Sequence, residues 1–216
     1  MFIGSLKRLL GRPANLEPAS IEPIIPILRD YFSTQKISVV EIGARHGDSS
    51  LRLLTQLNIE KYYIVDPYEC YDDYEGDGFN QALSSSMGAG DEIYSAIKNR
   101  LSSFPVEFIR KYSHDAAADI KDGSIDLLYI DGNHTYEYVK NDISLYMPKL
   151  VQGGIACGDD FFMRHDNKDH LRTLNGDYQE RMVWEAVTEY CLQKGLDVYG
   201  YGQHLGYPQT WLTVKT

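Results

Sequence analysis

Four side chains that can do acid–base or metal chemistry stand directly after two short apolar runs. They are Asp131, His134, Asp159 and Asp160. The runs, 125–130 and 155–158, are strand-like, and the segment between them has the 3–4 residue apolar spacing of a helix that Gly153 and Gly154 would end. Strands in such a unit are parallel, so both strand ends point the same way. The four side chains can therefore meet in one crevice, where open α/β sheets bind ligands.

Carboxylates at the ends of buried strands need compensation, because an unpaired buried charge is costly. A hard divalent cation would supply it, since such ions take oxygen ligands, and so would a hydrogen-bonded substrate. A solvated loop after the strand is the simpler explanation for any single acid. Asp131 together with the Asp159–Asp160 pair favours a functional site over that explanation.

A glycine-containing loop follows the first predicted strand. It has the pattern ExGxxxG, formed by Glu41, Gly43 and Gly47, and not the GxGxxG pattern of dinucleotide-binding proteins. Its glycines allow a tight turn and a close approach of a ligand to the backbone. The acid suits a ligand with a cationic amine better than a pyrophosphate. Asp66, at the end of the second predicted strand, can accept both hydroxyls of a ribose.

Apolar periodicity predicts alternating strands and helices along the whole chain. The predicted strands are 37–42, 62–65, 106–110, 125–130, 155–158, 196–199 and 210–214. The predicted helices are 18–34, 48–57 with Asp48 or Ser49 as N-cap, 91–102, 114–120, 138–150 and 178–194. This order indicates an α/β fold, a Rossmann-like three-layer αβα sandwich with a mostly parallel seven-stranded sheet. The short connection before the last strand favours an antiparallel pairing there.

Two long irregular segments, 68–90 and 161–177, interrupt this alternation. The first is rich in tyrosines and acids, and it is either a lid over the site or a mobile surface loop. The second begins next to Asp160 and is expected to line the crevice. Its two histidines, His165 and His170, are more typical of a solvated loop than of metal ligands. We divide the chain into an N-terminal helical segment, 1–34, and a main domain, 35–216.

Composition restricts the functional classes. The net charge is −10 without any block of lysine and arginine, which argues against a nucleic-acid-binding surface but not against a nucleic-acid substrate. The three scattered cysteines indicate neither a disulfide framework nor a zinc site and fit a reducing, cytoplasmic compartment. No apolar run is long enough to cross a bilayer, and residues 1–12 lack the features of a signal peptide. Their apolar pattern is compatible with a homodimer.

The motifs VVEIGARHGDSS, IVDPYE, KYSHDAA, YIDGNHTYEYVKNDI and GGIACGDDF resemble those of class I S-adenosylmethionine-dependent methyltransferases. The resemblance covers about 37–216 and is greatest to small-molecule O-methyltransferases of the catechol and macrolide-sugar types. It implies S-adenosyl-L-methionine as cofactor and a divalent cation, with Mg²⁺ as the expected ion. The implied reaction is methyl transfer to a hydroxyl oxygen of a small sugar, polyol or phenol.

The resemblance also implies residue roles. The implied cofactor-binding residues are Glu41, Gly43, Gly47 and Ser49 for the methionine part, Asp66 for the ribose, Ser113 and His114 for the adenine, and Asp131. The implied metal ligands are Asp131, Asp159 and Asp160. His134 stands where metal-dependent relatives carry a catalytic lysine, so it is the implied general base, and Asp131 is the other catalytic residue.

Departures from the family pattern keep other functions open. Arg45 and His46 are bulkier than the residues that many methyltransferases have in this loop, and Asp160 replaces the asparagine of the catechol-type enzymes. Histidine in place of lysine at position 134 leaves the base assignment open. One alternative is a metal-dependent hydroxylase or hydrolase that uses the four crevice residues. The other is a non-catalytic domain in which Arg45 or His46 fills the cofactor space.

Overall fold

The computed structural model describes residues 21–71, 83, 88–161, 182–202 and 209–216. The predictions for residues before Ile21, for most of the segment 68–90, and for residues 162–177 with both of their histidines lie outside the described residues.

The described residues form seven strands and six α-helices. The strands are β1 (Ile37–Ile42), β2 (Ile59–Val65), β3 (Val106–Ile109), β4 (Ile125–Ile130), β5 (Leu150–Gly158), β6 (Val198–Tyr201) and β7 (Thr210–Val214). The helices are α1 (Ile25–Phe32), α2 (Asp48–Gln56), α3 (Ala89–Arg100), α4 (Ser113–Ala116), α5 (Tyr136–Tyr146) and α6 (Val183–Lys194), with 3₁₀ turns at Glu22–Ile24, Ala117–Asp119 and Met147–Lys149. Of the helices described, none combines the length and apolar character needed to cross a membrane.

The strands form one sheet in the order β3-β2-β1-β4-β5-β7-β6. The first five are parallel neighbours, and β7 is antiparallel to both β5 and β6. The predicted mostly parallel, seven-stranded sheet with an antiparallel last strand is confirmed. The order reverses direction between β1 and β4, and such a switch point is where open α/β sheets place ligands.

Apolar layers cover both faces of the sheet, as β4 illustrates. Leu128 and Ile130 pack on one side with Val139 and Ile143 of α5. Leu127 and Tyr129 of the same strand pack on the other side with α1. Side chains alternate between the faces of a strand, so a strand with helices on both faces needs apolar residues at nearly every position. This explains why five of the six residues of β4 are apolar.

The predicted end of α5 is wrong. The helix ends at Tyr146, a 3₁₀ turn follows, and β5 begins at Leu150, so Gly153 and Gly154 lie inside a strand. Pro148 in that turn lacks a backbone N–H and cannot continue an α-helix. The pairing of β5 with β4 shifts register near these glycines, and Gly153 has φ +82°, so the glycines mark an irregularity in the strand rather than a helix end.

The predicted N-cap of α2 is also wrong. Gly47 is the N-cap, with φ 78° and no side-chain cap, while Asp48 is already the first helical residue. The hydroxyl of Ser49 donates to Glu41 instead of capping the helix. A hydroxyl near a helix start indicates an N-cap, but here the buried carboxylate of Glu41 on β1 competes for the Ser49 hydroxyl.

Two glycines at neighbouring strand ends give a matched test of this packing. A Cβ on Gly158 would lie 2.4 Å from the Ile130 carbonyl oxygen and 2.6 Å from Trp211 Nε1, whereas the nearest atom to one on Gly132 would be Ile42 Cγ2, at an ordinary contact distance of 3.4 Å. We expect Gly158→Ala to lower the free energy of unfolding by about 1–3 kcal/mol through overpacking. Gly132→Ala should leave it unchanged or raise it by about 0.5 kcal/mol. Urea unfolding of both variants measures this, and equal effects would contradict the packing described.

Candidate active site

The carboxyl ends of four neighbouring strands are held together by backbone hydrogen bonds that continue past the strands. The Gly43 amide donates to the Val65 carbonyl at 2.9 Å, and the Asp131 amide donates to the Ile42 carbonyl at 2.8 Å. The Asp159 amide donates to the Ile130 carbonyl at 3.2 Å. The first residue after β1, β4 and β5 is therefore still fixed to its neighbour, and the predicted meeting of these strand ends is observed.

Gly43 allows the loops after β1 and β4 to touch. Its φ is +79°, and a Cβ there would lie 2.2 Å from the Asp131 carbonyl oxygen and 2.6 Å from Gly132 Cα. Only glycine adopts this conformation readily and leaves room for the facing backbone. The contact forms the floor between the two loops.

A crevice of about 520 Å³, its open mouth included, lies over these strand ends. Its lining is partly apolar and partly polar. The apolar lining residues are Ile42, Val65, Pro67, Tyr71 and Leu83, and the polar ones are Arg45, Asp66, Glu69, Ser113, Asp131 and Asn133, together with Gly43 and Gly132. A lining of apolar residues with a few polar groups is typical of small-molecule sites.

Asp66 fastens the β1 loop to the end of β2. One carboxylate oxygen accepts the amides of Ala44 at 2.9 Å and Arg45 at 3.2 Å, and the other accepts the amide of Tyr68 at 2.8 Å. Burial raises the pKa of this carboxyl above its ordinary value, although the three amides oppose that shift. Asp66 borders the crevice, and part of its capacity to accept hydrogen bonds is used to shape the loop.

Glu41 lies beneath the loop and does not line the crevice. It is fully buried, and its carboxylate accepts the hydroxyls of Ser49, Ser50 and Tyr62, the last at 3.0 Å. Burial raises the pKa of Glu41 to about 7, and the three hydroxyls oppose this shift only in part. The acid of the ExGxxxG pattern therefore joins β1, β2 and the first turn of α2 from below.

Ser113 follows β3 and borders the crevice, where α5 holds it by two side chains. Its hydroxyl donates to the buried carboxylate of Asp142, and its carbonyl accepts the Tyr146 hydroxyl at 2.8 Å. Desolvation raises the pKa of Asp142 to about 7. His114, the next residue, does not line the crevice; its side chain is half exposed, and its ring stacks on Tyr112 at 5.8 Å between centroids.

His134 stands between Asp131 and Asp160, two of the predicted metal ligands. Its Nδ1 lies 2.5 Å from Asp160 Oδ2, and its Nε2 lies 3.3 Å from Asp131 Oδ1. The ring is buried, and Asp160 has the left-handed φ of 52° that turns its side chain toward the ring. The contact with Asp160 is the closer one, and 3.3 Å is beyond the usual length of an N–H···O bond.

Asp159 completes this acidic cluster. It is buried, and within the described residues its Oδ1 has no hydrogen-bond partner. Desolvation, followed by repulsion from Asp131 and Asp160, raises the pKa of Asp159 well above its ordinary value. A buried acceptor without a partner is uncommon, and such groups recur at functional sites.

The predicted metal site does not take the form of a ligand set. In the ranges that the structure describes, no three histidine, cysteine, aspartate or glutamate side chains are arranged to hold an ion. The imidazole of His134 occupies the space between Asp131 and Asp160, so an ion bound by both would require the ring to move. The residues therefore do not fit a divalent cation in this arrangement.

The sequence-predicted residues divide into three groups by position. Gly43, Asp66, Ser113 and Asp131 line the crevice. His134, Asp159 and Asp160 form the acidic cluster beside it, and Asp131 belongs to both. The remaining four, Glu41, Gly47, Ser49 and His114, lie outside the crevice lining.

Sequence reasoning assigned no individual role to several residues of the crevice. Tyr71 contacts Tyr112 and Tyr138 edge-to-face at 5.4 and 5.2 Å between ring centroids, and it is one of the apolar residues that line the crevice. Asn133 accepts the Thr135 amide, while its Nδ2 has no partner among the described residues. The pattern gave no signal for Tyr71 beyond the tyrosine-rich composition of its segment. Arg45 and His46, the bulky residues of the loop after β1, are both exposed. Arg45 lines the crevice without filling it.

Comparisons with known proteins agree with this geometry. The profile of a family described as "Methyltransferase domain" matches residues 40–161, which span β1 to the end of β5. The fold resembles that of a Staphylococcus aureus protein described as a candidate caffeoyl-CoA O-methyltransferase, with a TM-score of 0.62, 15% identity and coverage of 99% of this chain and 92% of the other. It also resembles a candidate methyltransferase of Streptococcus mutans solved with S-adenosylhomocysteine (TM-score 0.56, 12% identity, 93% and 100% coverage).

One curated relative is an uncharacterised protein of Acanthamoeba polyphaga mimivirus. It is 28% identical over 142 residues, which cover 64% of this chain and 58% of the viral protein. The chain therefore spans less than two thirds of that relative's length, and the likeness says nothing of the activity of the whole viral protein.

Burial of Glu41 predicts a pH-dependent cost that a glutamine would not have. The pKa rises from 4.5 to about 7 on folding, so the folded state holds the proton more tightly, and stability is lost as pH rises between these values. Replacing Glu41 by glutamine removes this loss. We expect the stability of Glu41→Gln relative to the native protein to improve by about 3 kcal/mol between pH 4.5 and pH 8. Urea unfolding at both pH values tests this, and parallel pH profiles would contradict it.

Proposed function

The chain belongs to the family of class I S-adenosylmethionine-dependent methyltransferase domains, and from this we propose that it methylates a hydroxyl oxygen of a small molecule such as a sugar, polyol or phenol. One observation carries the proposal. The crevice and the acidic cluster share a single residue, Asp131, so a cofactor on one side and an acceptor on the other would meet there.

The crevice fits the cofactor. Its apolar lining residues, which include Val65, Pro67 and Tyr71, suit contact with a planar heteroaromatic ring. Its carboxylates suit hydrogen bonds from hydroxyls and contact with a cation. When bound, S-adenosyl-L-methionine supplies an electrophilic methyl group on a sulfonium. Asp66 would accept from the ribose with the capacity that its three amides leave, and Gly43 leaves the backbone accessible to the amino-acid part.

The order of the strand ends gives this ligand a direction. Ser113 follows β3, Asp66 follows β2, Gly43 follows β1 and Asp131 follows β4, and these strands are adjacent in the sheet in that order. A nucleoside amino acid has its parts in the same sequence, from base to ribose to the reactive sulfur. With the reactive end at Asp131, the base lies at the Ser113 end.

His134 is the residue that we propose as general base. Asp160 at 2.5 Å orients the ring by accepting the Nδ1 proton, which leaves Nε2, the nitrogen with the longer contact, to take the proton of an acceptor hydroxyl. A base held by a carboxylate on its other nitrogen is the arrangement of many hydrolytic triads. Asp131 lies on the same side as Nε2 and would orient the hydroxyl.

The proposed mechanism contains no divalent cation, because the His134 ring occupies the space between Asp131 and Asp160. Assistance by Mg²⁺ stays a prediction from the resemblance, as do a homodimer and a cytoplasmic location. A metal-dependent hydroxylase or hydrolase on the same cluster is the second candidate function. It would need the His134 ring to move so that an ion could reach Oδ1 of Asp159, which has no hydrogen-bond partner among the described residues. It would act without the methyl donor, so activity assays distinguish the two.

Calorimetric titration with S-adenosylhomocysteine tests the cofactor site. We expect micromolar binding to the native chain with Mg²⁺ or with chelator, and loss of at least about tenfold in affinity for Asp66→Ala. Glu107→Ala, which removes an exposed acid on the neighbouring strand β3, is the matched control and should bind normally. Absence of binding to the native chain under both conditions would overturn the proposed function, and dependence on Mg²⁺ would restore the metal site.

Methyl transfer to a panel of hydroxylated sugars and phenols tests the base. We expect His134→Gln to lower the transfer rate about 100-fold or more while S-adenosylhomocysteine still binds, because only proton removal is affected. Asp160→Asn keeps the ring but weakens its orientation, so its rate should be intermediate. A native rate in His134→Gln would remove the histidine from the mechanism and leave Asp131 as the candidate base.

A further inference from the structure

We propose that Asp142 fixes the direction of the Ser113 hydroxyl, so that Ser113 accepts a hydrogen bond from the exocyclic amine of the adenine and selects a 6-aminopurine over a 6-oxopurine cofactor. This inference rests on the proposed cofactor site. Asp142 does not line the crevice, so it acts through Ser113 as a positioning residue.

The hydrogen bond between the two side chains has one direction once Asp142 is ionised, which happens above its pKa of about 7. A protonated carboxyl can donate, but an ionised carboxylate only accepts, so the Ser113 O–H then donates to Asp142. A hydroxyl has one proton and two lone pairs, and with the proton spent on Asp142 its oxygen can only accept from any further partner. Toward the crevice, Ser113 is therefore an acceptor and recognises a donor.

The surroundings make this direction firm. Asp142 is only 2% exposed and lies on the middle of α5, so water does not compete for its carboxylate. Tyr146, one turn further along α5, holds the Ser113 carbonyl at 2.8 Å. The side chain and the backbone of Ser113 are thus fixed by the same helix, and the hydroxyl is not a free rotor.

The position of Ser113 identifies the donor. It borders the crevice after β3, at the end of the strand series opposite to Asp131, where the proposed orientation places the base. The hydroxyls of the ribose have better acceptors in the carboxylates of Asp66 and Glu69, which also line the crevice. The amine at C6 is the donor that remains at the far end of an adenosine, and a 6-oxopurine presents an acceptor oxygen there instead.

The test compares S-adenosylhomocysteine with S-inosylhomocysteine, which carries a 6-oxo group. Binding is measured at about pH 8.5, where the Asp142 carboxyl, with a pKa of about 7, is ionised. We expect the native chain to prefer the amine by about 10- to 100-fold, because the oxo group would face an acceptor. Ser113→Ala and Asp142→Ala should reduce the preference to about twofold, the second because the freed hydroxyl can then donate.

Tyr146→Phe is the matched control, since it removes the other bond from α5 to Ser113 without freeing the hydroxyl. It should keep the native preference even where it lowers the melting temperature. A native preference in Asp142→Ala, or an equal loss of both ligands in that variant, would overturn the proposal. Failure of the native chain to bind either ligand would instead overturn the cofactor site itself, so the two failures are distinguishable.

Discussion

The close contact between the backbones of Gly43 and Asp131 is the constraint on which the site depends. The two residues directly follow β1 and β4, the strands between which the sheet order reverses. Even a methyl group on Gly43 would lie 2.2 Å from the facing carbonyl oxygen. Because the loops meet there, the crevice has a floor, and Asp131 stands at the border between the crevice and the acidic cluster. Parallel strands place all the other functional groups relative to this contact.

Three buried acids hold loops and helices in place around the crevice, and one of them, Asp66, also lines it. Glu41 joins two strands and a helix through three hydroxyls, Asp66 holds the β1 loop through three amides, and Asp142 holds Ser113. Desolvation raises the pKa of each, so each costs stability once ionised. That cost is tolerated because a charge-assisted bond fixes loop geometry more firmly than an apolar contact would.

The acidic cluster shows how one side chain changes the chemistry of a site. Three carboxylates at adjacent strand ends would attract a cation, yet the ring of His134 lies between two of them. A cationic imidazole can balance their charge, and a neutral one can take a proton, so the same geometry serves electrostatic balance and catalysis. Asp159 is buried beside them, and its Oδ1 has no hydrogen-bond partner in the part of the chain that the structure describes. Desolvation and the neighbouring carboxylates raise its pKa, so its ionised form is the least stabilised of the three.

The sequence by itself determined the fold class and the placement of acids at strand ends. Apolar periodicity and turn residues are local signals, and strand ends such as those before Asp66, Asp131 and Asp159 follow from them directly. The family resemblance followed from the motifs in those same loops. The predicted end of α5 was wrong because glycines such as Gly153 and Gly154 can either end a helix or permit an irregularity in a strand.

Only the tertiary structure decided which side each functional group faces. The carboxylate of Glu41 lies below the loop because it accepts hydrogen bonds from Ser49, Ser50 and Tyr62 there. Asp142 accepts a hydrogen bond from Ser113, although the two residues are 29 positions apart in the chain. Neither contact has a local sequence signature. Burial and hydrogen-bond partners arise from distant segments that pack together, so the pattern could say that an acid stands at a strand end, but only the packed fold could say whether it holds the loop or meets the ligand.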